Sequence, residues 1–99
     1  MEWYIWIQEE IDKAIKNKNL NEVIKYNDLF TRAFMYEYTD YSHIKDLFIT
    51  AKHFGYLKEV ITKEGLDEYF DSEHNNGIFI SWDDMLNKAF EQYIYNKNT

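Results

Sequence analysis

The chain of 99 residues contains no cysteine, no proline and three glycines. Without cysteine it can form neither a disulfide framework nor a thiolate metal site. No apolar run approaches the roughly 20 residues that a membrane-spanning helix requires. The N-terminal sequence MEWYIWIQEE lacks the basic lead of a signal peptide and ends in acids. We therefore expect a cytoplasmic protein that does not bind membranes.

The chain also has little arginine, since Arg32 accompanies ten lysines. Arginine is the side chain that usually binds phosphate and guanine in a bidentate manner. The formal net charge is −7 and the pI is about 4.8, so direct binding of nucleic acid is disfavoured. The sequence contains no glycine-rich phosphate loop, no G-x-S-x-G motif and no cysteine nucleophile. We therefore expect no enzyme, no catalytic residue and no cofactor.

The three histidines give no metal-binding pattern. They are His43, His53 and His74, and no two of them have the spacing of an H-x-x-x-H pair. A calcium loop of the EF-hand type with Gly77 at its sixth position would place His74 where an oxygen ligand is needed. The sequence therefore predicts no metal site.

Apolar residues recur at helical spacing along most of the chain. Hydrophobic residues make up 45% of the sequence and aromatic residues 19%, enough for a core in one domain over 1–99. Helices are predicted over 3–16, 20–36 and 42–54 and after Ser81, with a shorter helical segment before 70. In the first of these the apolar stripe is Trp3, Trp6/Ile7, Ile11 and Ala14/Ile15. Trp3, Ile5 and Ile7 alone also alternate as in a strand, but the length of the pattern favours the helix. Asn76-Gly77 is typical of a turn. The predicted fold is mainly α, a compact bundle of four or five helices with at most one short β-hairpin near 69–81.

Several polar residues and glycines are predicted to begin or end these helices. Asn19, with Glu22, would cap the second helix, Ser42 or Thr39 the third, and Ser81, with Asp84, the last. Gly55 would end the third helix, and Gly65 would precede a short helix.

The acids are concentrated in residues 64–84, which we call the acidic block. The block has no lysine or arginine, so the rest of the chain is balanced in charge. Its seven acids are Glu64, Asp67, Glu68, Asp71, Glu73, Asp83 and Asp84. Four of them, Asp67, Glu68, Asp83 and Asp84, are predicted in the first turns of helices, where the helix dipole stabilises acids by about 0.3–1 kcal/mol. The block is either a solvated surface that aids solubility or an interaction surface for a basic partner. In the second case the candidate binding residues are Glu64, Asp67, Glu68, Asp71 and Glu73.

The nine tyrosines supply a second candidate surface. Tyr36, Tyr38 and Tyr41 flank a predicted helix–helix junction, and they are too closely spaced for all three to face inward. Tyrosine gives a large contact area at low entropic cost. These three residues are either the rim of an aromatic core or a protein-binding patch.

The hypothesis that follows is a non-enzymatic module whose acidic block docks on a basic surface of another protein. A sharper form is an inhibitor of phage or mobile-element origin, such as an anti-CRISPR-like nucleic-acid mimic acting against host defence. Carboxylates on a rigid face imitate the backbone charges of a duplex, so the partner would be a nuclease or another nucleic-acid enzyme. Two alternatives stay open: a small DNA-binding or antirepressor-type transcription regulator, and a structural protein that self-associates as a homodimer.

Overall fold

The computed structural model of the protein describes residues 2–75 and 77–98. These residues form six helices and no strand: α1 (Trp3–Asn17), α2 (Tyr26–Leu29), α3 (Arg32–Tyr38), α4 (Ile44–His53), α5 (Lys63–Phe70) and α6 (Trp82–Lys97). The prediction of a mainly helical fold is confirmed. Helix α1 packs against α2 and α4, and α6 packs against α2 and α5.

Helix α1 follows its predicted apolar stripe. Ile7, Ile11 and Ile15, spaced four residues apart, are buried in the core. The helix ends with Asn19 at φ 55°, and the amide of Leu20 donates to the carbonyl of Ile15 at 3.0 Å. Asn19 therefore terminates α1, because asparagine tolerates the left-handed conformation, and the prediction that it begins the next helix is wrong.

The second predicted helix is divided into α2 and α3, so the structure has six helices instead of four or five. Thr31 is the N-cap of α3, and its Oγ1 accepts from the amide of Phe34 at 3.1 Å. Glu22 takes no part in a helix cap. Its carboxylate accepts from the hydroxyl of Tyr93 at 3.0 Å and from Lys97, both on α6.

The segment between α1 and α2 is held by the side chain of Gln8. Its Nε2 donates to the carbonyl of Ile24 at 2.8 Å, and its Oε1 accepts from the amide of Tyr26 at 3.0 Å. Both backbone groups thus find partners on α1 instead of within a helix. This long-range pairing explains why the helix predicted over 20–36 does not begin before Tyr26.

Helix α4 agrees with its prediction except at its first residue. His43 is the N-cap, and its Nδ1 accepts from the amide of Lys45 at 2.9 Å. The predicted caps, Ser42 and Thr39, lie before it. Gly55 has φ 86° directly after the C-cap residue, as the prediction requires of a helix-ending glycine.

Helix α5 begins earlier than predicted. Thr62 is its N-cap, and the Thr62 Oγ1 accepts from the amide of Gly65 at 3.0 Å. Gly65 therefore lies inside the first turn. Glu64 takes the first-turn position, which the sequence analysis had assigned to Asp67 and Glu68.

The segment between α5 and α6 contains no strand in its described part. Residues 69–70 end α5, residues 71–75 and 77–81 form a loop, and Asn76 of the predicted turn lies outside the described residues. The amide of Asn75 organises this loop, because its Nδ2 donates to the carbonyls of Phe70 at 2.9 Å and Phe79 at 3.2 Å. Ser81 caps α6 through the amide of Asp84 at 3.1 Å, as predicted.

The core is aromatic and is centred on Trp82, the first residue of α6. Trp82 is fully buried, and its ring centroid lies 5.2 Å from that of Trp6, 5.7 Å from Phe30 and 6.1 Å from Phe48. The buried set of the described residues includes no charged side chain. None of the helices in the described part of the chain is long and apolar enough to cross a membrane.

Candidate protein-binding surface

Three of the seven acids in the acidic block have structural partners. Asp67 Oδ1 accepts from the amide of Trp82 at 2.8 Å, so it satisfies the first free backbone donor of α6. Asp84 Oδ2 accepts from the amide of Ile80 at 3.2 Å. Asp83 forms an ion pair with Lys63 at 2.6 Å. The hydrogen bond to Asp83 raises the pKa of the Lys63 ammonium above its ordinary value.

The other four acids, Glu64, Glu68, Asp71 and Glu73, are exposed. Within the described residues, no side-chain hydrogen bond or ion pair holds any of the four. Glu64, Glu68 and Asp71 follow one another at helical spacing along one side of α5. Asp71 is the C-cap residue of α5, where the helix dipole disfavours a negative charge. Apart from Glu64, which lies in the first turn of α5, the fold carries these charges on its surface without using them.

Two exposed isoleucines lie on the loop beside the end of α5, near Asp71. Ile78 is 67% exposed and Ile80 is 76% exposed, whereas Phe79 between them is 5% exposed. The Asn75 amide bridges the carbonyls of Phe70 and Phe79, so the backbones that continue into Asp71 and Ile80 lie side by side. We call the surface formed by Glu64, Glu68, Asp71, Glu73, Ile78 and Ile80 the acidic face.

These isoleucines were missed as functional candidates because residues 77–81, GIFIS, lie in the segment where a short β-hairpin was predicted. The alternation that suggested a strand is real, since Phe79 points inward and its two neighbours point outward. Among the described residues, the segment 77–81 is not paired with a second strand. The sequence signal for a binding surface was the presence of two large apolar side chains in a short segment that begins with glycine and has no apolar partner.

The three candidate tyrosines do not form one patch. Tyr36 is 88% exposed. Tyr38 is half-buried, and its ring centroid lies 5.0 Å from that of Phe34 and 6.4 Å from that of Phe79. Tyr38 therefore supports the loop of the acidic face from below, as a rim residue of the core.

Tyr36 and Tyr41 line a groove of about 810 Å³ together with Arg32 and His43. The hydroxyl of Tyr41 is hydrogen-bonded to that of Tyr69 on α5. Partial burial, and then this hydrogen bond, raise the pKa of the Tyr41 phenol above its ordinary value. Tyr41 is thus fixed by the fold, and Tyr36 is the exposed aromatic side chain that remains on this groove.

No group of three or more histidine, aspartate or glutamate side chains is arranged to hold a metal ion in the described part of the chain. Comparison with known proteins gives no match, whether to a protein-family model, to a curated protein or to a solved structure. The function is therefore inferred from the surface of the protein alone.

The structural role of Asp67 gives a first test. Replacing Asp67 by alanine should lower the free energy of unfolding by about 1–3 kcal/mol, because it leaves the amide of Trp82 without its charged acceptor. Replacing the neighbouring, exposed Glu68 by alanine should change it by less than about 0.5 kcal/mol. Urea denaturation followed by circular dichroism measures both variants. Equal stability of the two variants would contradict the capping role of Asp67.

Proposed function

We propose that the protein is a non-enzymatic binding module whose acidic face docks on a basic, partly apolar surface of another protein. The single observation that carries the proposal is the pair of exposed isoleucines, Ile78 and Ile80, held beside free carboxylates. An acidic surface that served solubility alone would have no need of two isoleucines in this position.

The two components of the acidic face would act at different stages of association. The carboxylates of Glu64, Glu68, Asp71 and Glu73 attract a basic partner over distance and increase the association rate. Ile78 and Ile80 then lose their exposed apolar surface to the partner, which slows dissociation. A charged rim around an apolar centre is the usual anatomy of such an interface.

The sharper form of the proposal is an inhibitor of a nuclease or another nucleic-acid enzyme, of the kind that phages and mobile elements use against host defence. The arrangement of the acids in a row supports it. Glu64, Glu68 and Asp71 are about 6 Å and 4.5 Å apart along the axis of α5, a wider spacing than the roughly 3.4 Å between successive charges along one strand of a duplex, but likewise a line of negative charges.

The test is affinity capture from the source lysate, with elution by a salt gradient, using the wild-type protein and two variants of the acidic face. One variant is Ile78→Ser with Ile80→Ser, and the other is Glu68→Lys with Asp71→Lys and Glu73→Lys. Glu64 is left unchanged because it stabilises the first turn of α5. The serine variant should bind the partner about 100-fold more weakly, since two buried isoleucines are lost. The lysine variant should bind at least about tenfold more weakly at low salt.

Two matched controls make the outcome specific. Val23→Ser with Ile49→Ser removes two exposed apolar side chains elsewhere on the surface. Glu37→Lys with Asp40→Lys and Glu91→Lys makes the same change in net charge at exposed positions, and among the described residues it breaks only the surface ion pair of Glu91 with Lys88. The proposal requires the partner to remain bound to both controls. A partner lost equally from the lysine variant and its control would show that net charge alone is responsible, and the acidic face would then have no specific role.

The same purified protein distinguishes the two alternative functions. Salt-sensitive binding to DNA in a gel-shift experiment would favour a direct DNA-binding regulator. A dimer in light scattering that dissociates when Tyr36 is replaced by serine would favour a self-associating structural protein. Inhibition of the captured enzyme, with neither of these results, is the outcome that the proposal predicts.

A further inference from the structure

Helix α1 buries one row of side chains and leaves the opposite row uncovered. Residues spaced four apart form ridges on a helix surface. The ridge of Ile7, Ile11 and Ile15 is in the core, whereas Ile5 and Glu9, on the opposite ridge, are exposed. Ile5 lies off the apolar stripe that packs inward, so core packing gives no reason for an apolar side chain at this position.

A depression runs along each side of the ridge of Ile5 and Glu9. One has a volume of about 580 Å³, and its other lining residues are Tyr4, Gln8, Asp12, Lys25, Tyr26 and Asn27. The other has a volume of about 340 Å³, and its other lining residues are Glu2, Trp6, Glu59, Val60 and Ile61. A second helix packs against a surface that has a ridge with a groove on each side. From residue 2 to residue 12 this ridge and its grooves are about 15 Å long, which corresponds to roughly ten residues of a partner helix.

The ridge and its two grooves include exposed apolar side chains from two parts of the chain. Tyr4 and Ile5 belong to α1, and Val60, which is 74% exposed, belongs to the segment before α5. Their apolar surface would be removed from water by a helix lying across α1. We call this area, with Glu9 on its ridge and Glu2, Asp12 and Glu59 at its edges, the α1 surface.

The charge of the α1 surface indicates which kind of partner helix would bind there. Four acids and one lysine, Lys25, line the two depressions. Exposed apolar side chains in grooves bordered by acids, with Glu9 on the ridge between them, complement a helix with an apolar face and lysine or arginine along its sides. An acidic helix would meet repulsion from both edges.

We infer that the α1 surface is a second docking site, for a basic amphipathic helix of a partner protein. It shares no residue with the acidic face, so it can be occupied independently of the proposed function. A partner that carries such a helix beside a basic surface would be held at two places, which strengthens binding without new contacts at either one.

Docking at the α1 surface can be tested with a defined probe and the whole 99-residue chain. The probe is a fluorescently labelled 14-residue peptide of leucine and lysine, patterned as an amphipathic helix, and its binding is measured by fluorescence anisotropy. The wild-type protein should bind this peptide in a saturable, salt-sensitive manner. A peptide of the same pattern with glutamate in place of lysine should not bind.

Matched variants locate the site of the peptide. Val60→Ser should weaken binding about tenfold, and Ile5→Ser with Val60→Ser should weaken it further, because the peptide loses apolar contact on the ridge and beside it. Val23→Ser, at a valine that is 80% exposed and lines neither depression, should leave binding unchanged. Circular dichroism should show that all three variants keep the wild-type helix content.

Three results would overturn the inference. One is the absence of binding by the leucine–lysine peptide, and another is equal binding of the glutamate peptide. The third is weaker binding by the variant with Ile78→Ser and Ile80→Ser while Ile5→Ser with Val60→Ser binds normally. This last result would show that the peptide binds to the acidic face. It would support the proposed function and exclude the α1 surface as a docking site.

Discussion

Replacing Trp82 by alanine is expected to lower the free energy of unfolding by about 3–5 kcal/mol, the cost of truncating a fully buried tryptophan. The indole packs against the rings of Trp6, Phe30 and Phe48, which belong to three different parts of the chain. Because a domain of this size has a total stability of roughly 5–15 kcal/mol, the variant should lose a large fraction of its stability. The urea midpoint measures the change.

Phenylalanine at position 82 provides the control. The buried Nε1 of Trp82 has no hydrogen-bond partner among the described residues, and an unpaired buried donor costs roughly 1–3 kcal/mol. Trp82→Phe removes that donor and keeps most of the ring, so its net cost should be well below that of alanine. If phenylalanine were as destabilising as alanine, the indole N–H would have a partner, and the account of this core site would be wrong.

The sequence predicted best the features that depend on neighbouring residues. Gly55 at the end of α4 and Ser81 at the start of α6 were identified from local patterns, because a left-handed glycine and a serine cap act within one turn. The core ridge of α1 was likewise predicted from its spacing alone.

The sequence failed where a distant side chain competes with a local pattern. The helix predicted over 20–36 is shortened because Gln8 binds the backbone of Ile24 and Tyr26. Asp67 was expected to stabilise its own helix, whereas its carboxylate caps α6 at Trp82, fifteen residues later. Neither contact has a signature in the spacing of the residues concerned.

The candidate site was predicted in part for the same reason. Composition alone identified the acidic block, and four of its five candidate residues are exposed and free of structural partners. Which of the acids have structural partners could be determined only from the three-dimensional structure, because it depends on which carboxylates contact Lys63 and the first turn of α6. The apolar part of the acidic face depends on Asn75, whose two hydrogen bonds set the course of the loop.

The division of the acidic block also relates stability to binding. Asp67 and Asp83 connect α5, and the lysine at its start, to α6, so they fix the orientation of the helix that presents Glu64, Glu68 and Asp71. Rigid presentation lowers the entropic cost of docking. Substitutions that displace α5 should therefore weaken binding to the partner even when all four free acids are unchanged.

Replacing Gly65 by alanine should produce such a displacement, and it is expected to destabilise the protein by about 3 kcal/mol, at the upper end of the cost of overpacking. In an unconstrained helix the same change would stabilise by roughly 1 kcal/mol. Here an added Cβ would lie 2.4 Å from the carbonyl oxygen of Tyr56 and 3.0 Å from Thr62 Oγ1. The Tyr56 backbone cannot easily retreat, because its amide donates to the carbonyl of Ala51 at 2.9 Å.

The other two glycines serve as controls for this prediction. Gly77→Ala should cost less than Gly65→Ala, since its added Cβ meets only a side-chain atom, the Asn75 Oδ1 at 3.2 Å, which has to shift by a few tenths of an ångström. Gly55→Ala should cost about 1 kcal/mol, because its φ of 86° is unfavourable for alanine. The urea midpoint of each variant gives the order, with Gly65→Ala the least stable. A stabilised Gly65→Ala variant would mean that α5 does not approach Tyr56 closely, and the orientation of the acidic face would then have to be revised.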